Sequence, residues 1–172
     1  MKRNIFAIAL CAIFAFGCLT SCKTELTDEE ILTTKKGWKL VAATTEPDYL
    51  LNEGEVNEVP IKDLFNDGYV SSCEKDDILY FDVNGAVTLN FGKDKKTFPC
   101  DDVQANTEKA LDGKWDLSED GKTLSTPLPW SEGKLIATVL TLEEKTLKLK
   151  FPVSFGDDDA VTHYFTVTYN RN

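Results

Sequence analysis

Residues 79–91 read LYFDVNGAVTLNF, and their apolar positions recur every second residue. Leu79, Phe81 and Val83 share one face. Val87, Leu89 and Phe91 return on the far side of Asn84-Gly85. A period of two is the signature of a half-buried strand, because successive side chains point to opposite faces of a sheet. An Asn-Gly pair between two such runs is the strongest short-range hairpin signal, since both residues tolerate the positive φ of a tight turn.

The same grammar extends in both directions. Upstream, Trp38, Leu40 and Ala42 alternate on a first strand; downstream, Trp115 and Leu117 lead to a turn at Asp120-Gly121 and a return through Thr123-Leu124-Ser125. Ile136, Leu140 and Leu142 then run toward a turn around Glu143-Glu144-Lys145, and Leu147, Leu149, Phe151, Val153 and Phe155 run away from it. After the polar turn Phe155–Asp159 a last strand puts Val161, His163, Phe165, Val167 and Tyr169 on one face. About eight strands result, the number that closes an up-and-down barrel around a small interior and removes exposed edges. Outward positions hold Lys39, Asp82, Asp116, Lys148 and Lys150, which argues against a barrel facing lipid. The predicted fold class is all-β: an eight-stranded antiparallel up-and-down barrel with a short N-terminal helix. That helix is signalled by the capping box Thr27-Asp28-Glu29-Glu30 ahead of Ile31 and Leu32, with Gly37 as its C-cap. Glu46–Asp77 and Gly92–Gly113 interrupt the meander; in the first, Ile61, Leu64 and Phe65 fall at helical spacing and read as a lid over one barrel end.

A chain of 172 residues accommodates one such domain and a short appendage. Its 29 acidic against 19 basic residues give a charge of -10, which repels phosphate backbones and excludes nucleic acid as a partner. His163 is the one histidine, so sites that need two imidazoles are ruled out.

The appendage is an address. Lys2 and Arg3 precede an uncharged, mostly apolar run from Ile5 to Leu19, short for a membrane-spanning helix and right for a signal peptide. Leu19-Thr20-Ser21-Cys22 resembles the bacterial lipobox, with Cys18 as a poorer second site. The resemblance implies residues 1–21 as a lipoprotein signal, Cys22 as the lipidated residue carrying palmitate-type acyl chains, 22–26 as tether and 27–172 as the barrel domain. Two or more chains anchor stably where one does not. Lys23 stands where inner-membrane retention signals have Asp, so the resemblance further implies an outer-membrane location, periplasmic or surface-facing. Loss of Lys2 and Arg3 takes the 19 basic residues to 17 against 29 acidic, a charge of -12. Two cysteines remain beside Cys22, and in an oxidising compartment Cys73 and Cys100 read as a disulfide that stabilises by roughly 3–4 kcal/mol in the chain-entropy model. A redox or metal pair is the weaker alternative, for want of Cys-x-x-Cys spacing.

Gly37-Trp38-Lys39-Leu40, Cys73–Asp77 ahead of the Phe81–Gly85 hairpin, Gly113-Lys114-Trp115-Asp116-Leu117 followed by Asp120–Leu124, and the closing strand to Arg171 together resemble the small lipocalin-like domains of bacterial lipoproteins. The likeness spans nearly all of the mature chain. It implies a calycin-type barrel, and the second cysteine of the family's pair matches Cys100. Gly37 directly precedes Trp38, whereas the lipocalin signature spaces Gly-x-Trp as at Gly113–Trp115.

No catalytic motif is present, and no cofactor or metal site is expected. Asp76-Asp77, Asp101-Asp102 and Asp157–Asp159 read as solvated turn acids. Trp130, in the proline-rich loop 127–131, is a candidate contact for a protein or glycan partner. The candidate barrel interior comprises Trp38, Leu40, Phe81, Leu89 and Trp115, with Phe151, His163, Phe165 and Tyr169 from the last two strands. Such an interior is either a core filled by side chains or a calyx. The expected function is non-catalytic binding of a small apolar or amphipathic ligand by a membrane-tethered barrel. The alternative is a ligand-free module that docks an envelope protein or glycan through its loops.

Overall fold

The computed structural model of the protein describes residues 25–51, 59–93, 107–127, 133–153 and 162–172. A five-residue helix, α1 (Asp28–Leu32), precedes ten strands: β1 (Trp38–Leu51), β2 (Val59–Asp63), β3 (Ile78–Phe81), β4 (Val87–Asn90), β5 (Glu108–Ala110), β6 (Asp116–Leu117), β7 (Thr123–Pro127), β8 (Lys134–Leu142), β9 (Thr146–Val153) and β10 (His163–Arg171). All pairings are antiparallel, in the order β5-β4-β3-β1-β10-β9-β8-β7-β6, with β2 beside the far half of β1.

The first long strand pairs with the last, Trp38 opposite Arg171 and Glu46 opposite Tyr164, which turns the meander into a ring. The two ends of the ladder, β5 and β6, are halves of one bent strand. Between them the Leu111 amide donates to Val87 O and the Trp115 amide to Gly85 O, both at 2.9 Å. Counted so, eight strands make the ring and β2 is an addition. This is the up-and-down order expected from the alternation.

The helix start follows the capping box. Thr27 Oγ1 accepts from the Glu30 amide at 3.2 Å, and Glu30 Oε2 accepts from the Thr27 amide at 2.8 Å, satisfying two helix-end donors. That backbone bond, then the Thr27 hydroxyl, holds the Glu30 carboxyl below its ordinary value. The helix closes at Thr33, not Gly37. Gly37 instead starts β1 with φ +70°, where a Cβ would collide with Ile78 and Tyr80.

Five other expectations are corrected. A bulge between Leu40 and Ala42 shifts the register of β1, so its inner face continues through Ala43 and Thr45 and not through Ala42. Val83 is 84% exposed: β3 stops at Phe81, and Asp82 and Ala86 bracket a three-residue turn with Gly85 at φ +88°. On β8 the apolar residues occupy both faces; Ala137 is buried and Leu135 and Val139 are half-buried, while Ile136 and Leu140 face out. Ile61 and Leu64 are buried, but from β2 and the turn after it, so the helical spacing there was coincidence. Asp76 and Asp77 are not idle turn acids. They accept from the backbone amides of Lys93 (2.6 Å) and Gly92 (2.9 Å) and so fasten the segment before β3 to the one after β4. Cys73 is buried, its Sγ 3.1 Å from Ser71 Oγ. Cys22, Cys100, Trp130, Phe155, Val161, Asp101-Asp102 and Asp157–Asp159 lie outside the described residues.

The core is one cluster, and its largest fully buried side chain is Trp38. Trp38→Ala is expected to cost about 3–5 kcal/mol in urea unfolding, a large share of a small domain's stability, whereas Val83→Ala stays within about 0.5 kcal/mol.

Candidate functional site

The two ends of the ring differ in construction. One carries α1, the turns 82–86, 118–122 and 143–145, and the last residue of β10. Trp38 plugs it: the indole Nε1–H donates to Leu32 O at 2.8 Å, and the Arg171 guanidinium lies 5.7 Å from the ring centroid. Arg171 Nη2 reaches Ile31 O at 3.4 Å, and Asp28 sits against Gly121 in the β6–β7 turn. The helix thus closes this end from three sides.

The predicted interior residues fall into two groups. Trp38, Phe81, Leu89 and Tyr169 are buried and form the floor, with Leu40 half-buried beside them. Trp115 is also half-buried; its ring meets Phe81 edge-on at 6.1 Å and its Nε1–H donates to Asp82 O at 2.8 Å, locking the bent strand to the β3–β4 turn. These residues pack as core at the closed end.

The second group lies at the other end, here called the mouth. His163, Phe165 and Phe151 come together there, the two phenylalanines with centroids 6.0 Å apart. Register pairs Val153 with His163 and Phe151 with Phe165, placing all four on the inner face. Leu147, Leu149 and Phe151 on β9 are buried, yet Val153 is half-buried; Val167 and Tyr169 on β10 are buried, yet His163 and Phe165 are half-buried. On β9 and β10, inward-facing apolar side chains therefore regain access to solvent toward this end.

Pro47 organises this rim. Its carbonyl accepts from Thr45 Oγ1 at 3.1 Å and stands 3.3 Å from His163 Nδ1. A carbonyl only accepts, so that bond places the imidazole proton on Nδ1. Tyr49 then packs against the His163 ring, 5.9 Å between centroids and nearly perpendicular. Outside the wall, Lys150 Nζ pairs with Glu46 at 3.1 Å and lies over the Tyr164 ring at 5.0 Å.

Sequence reading missed Thr45, Tyr49 and Thr126. Thr45 keeps step with Ala43 once the bulge is allowed for, which was its available signal; Tyr49 lies past a second register shift between Thr44 and Tyr49. Thr126 is fully buried on β7, on the opposite wall, its hydroxyl donating to Pro127 O at 3.0 Å. Among the described residues no group of three or more His, Cys, Asp or Glu is placed to hold a metal ion, and no helix is long and apolar enough to cross a membrane.

No protein-family model matches this chain, and no curated protein does. Among solved structures, the complex of bovine odorant-binding protein with undecanal is 15% identical, with 87% of this chain and 76% of that one covered at a TM-score of 0.39. The bovine protein complexed with its natural ligand gives 15%, 86%, 74% and 0.38, and its deswapped triple mutant gives 13%, 79%, 72% and 0.36. At this overlap nothing is carried over from those proteins; the barrel stands on its own strand order.

Burial pushes the Tyr169 phenol far above its ordinary value of 10.0. A folded-state pKa raised above the unfolded one means this contribution is complete below about pH 10 and is lost as pH climbs beyond it. Stability should therefore fall above about pH 10 in alkaline unfolding followed by circular dichroism, and fall less in Tyr169→Phe.

Proposed function

We propose that the protein is a lipid-anchored lipoprotein of the cell envelope, held in the outer membrane through Cys22, whose barrel mouth binds a small apolar or amphipathic molecule without covalent chemistry. The graded burial of inward side chains carries this reading. Leu135, Val153, Phe165 and Tyr49 present apolar surface that is only half-covered, and His163 adds one polar group beside them. An aliphatic ligand entering there removes that surface from water. A micromolar dissociation constant corresponds to about -8 kcal/mol, which roughly ten buried methylenes at about 0.8 kcal/mol each supply before ordering costs are subtracted. Medium to long acyl chains meet that requirement; small polar metabolites do not.

The signal pattern at residues 1–21 and the cysteine after it support the anchor. Burial of Cys73, together with Cys100 as the other cysteine outside the signal and anchor, supports a Cys73–Cys100 disulfide. That bond would tie the segment before β3 to the one after β4, which Asp76 and Asp77 already fasten by hydrogen bonds.

The test is displacement of the dye N-phenyl-1-naphthylamine by fatty acids of graded length. One saturable dye site is expected, with displacement strengthening as the chain lengthens. Phe165→Ala should weaken it about tenfold, or roughly 1.4 kcal/mol, and Leu140→Ala on the outer face should leave it unchanged. Absence of a saturable site, or equal loss in both variants at matched urea midpoints, contradicts the reading.

A further inference from the structure

The anchor and the mouth belong to opposite ends of the barrel. This inference rests on the proposed lipidation of Cys22. From Cys22 to the helix cap Thr27 there are five residue steps, and a fully extended chain covers at most about 3.6 Å per step, so the bilayer lies within roughly 18 Å of α1. The helix is fixed to the closed end by Leu32 O on Trp38, Ile31 O on Arg171 and Asp28 against Gly121. β10, nine residues at about 3.3 Å each, is roughly 30 Å long, and at a barrel strand's tilt of about 40° it makes the wall roughly 23 Å tall along the axis. Turning the mouth onto the membrane would lift α1 farther from it than the tether reaches.

Charge adds a second constraint. The closed end, from α1 through Lys36 and the turns 82–86, 118–122 and 143–145, exposes eight acidic residues, Asp28–Glu30 and Glu143-Glu144 among them, against the four lysines Lys35, Lys36, Lys122 and Lys145. An acidic face stands off an anionic bilayer, and the tether is long enough to hold it beyond a Debye length of about 8 Å. We infer that the closed end faces the anchoring bilayer across a short aqueous gap and that the mouth opens away from it. Ligand then exchanges with whatever lies across the compartment, a soluble donor or an opposed membrane, and is not drawn up from the leaflet holding the anchor.

The test uses the full chain, expressed with its signal and purified from membranes. It is reconstituted in vesicles of phosphatidylethanolamine and phosphatidylglycerol doped with a nitroxide-headgroup lipid. A thiol dye is placed at Val83→Cys, in the β3–β4 turn of the closed end, or at Val59→Cys, at the far end of β2; both positions are exposed. The unsubstituted chain supplies the background labelling. The Val83 dye should be quenched at least about threefold more than the Val59 dye. Insertion of a long Gly/Ser linker after Lys23 should erase the difference. Equal quenching, or stronger quenching at Val59, in a chain that floats with the vesicles and carries acyl mass on Cys22 overturns the orientation alone. A chain that neither floats nor carries acyl mass overturns the anchor and the orientation together.

Discussion

Trp38 is the constraint on which the rest of the barrel depends. Its backbone is paired on one side with Arg171 of the last strand and on the other with Leu79 of β3, so the residue sits where the ring closes. Its side chain is fully buried, and its N–H finds the one kind of partner a buried indole requires, the Leu32 carbonyl at the helix end. Helix, first strand and last strand are thereby joined through one residue. Gly37 before it has no side chain because Ile78 and Tyr80 already occupy the space.

Fixing one end so firmly leaves the other to differ. Around the closed end the turns are short and reinforced: Ser118 and Asp120 bond within the β6–β7 turn, and the Ser118 hydroxyl, then the Lys122 amide, holds the Asp120 carboxyl below its usual range. At the mouth the rim rests on Pro47, whose carbonyl gathers Thr45 and His163. Leu135, Val153 and Phe165 there are half-buried. On the proposed reading, a barrel plugged at one end suits a carrier whose ligand enters and leaves by the other, and the proposed tether at the plugged end would direct that route away from the anchoring membrane.

Much of this was legible from the chain because a strand's period of two survives where both faces are distinct. Leu147–Phe151 and Phe165–Tyr169 alternate without interruption and lie as their pattern dictates. The Thr27–Glu30 box likewise worked because its bonds are local. Reading failed where an irregularity inserts a residue. The bulge after Leu40 moves the following residues of β1 to the other face and hid Thr45 from view, and a second shift between Thr44 and Tyr49 hid Tyr49. On β8 apolar residues on both faces left no alternation to follow. The candidate site was half-legible for the same reason: the floor residues and His163 lie on regular strands, whereas the rim depends on a carbonyl, which no side-chain pattern reveals.

Whether the mouth holds a ligand is tested most directly by native mass spectrometry of the domain from Lys23 onward, purified from its own host and sprayed gently. One small-molecule adduct per chain, released on denaturation and absent from Phe165→Ala of equal stability, is the predicted result. A bare mass in the unsubstituted domain, or an adduct that Phe165→Ala retains in full, would contradict it.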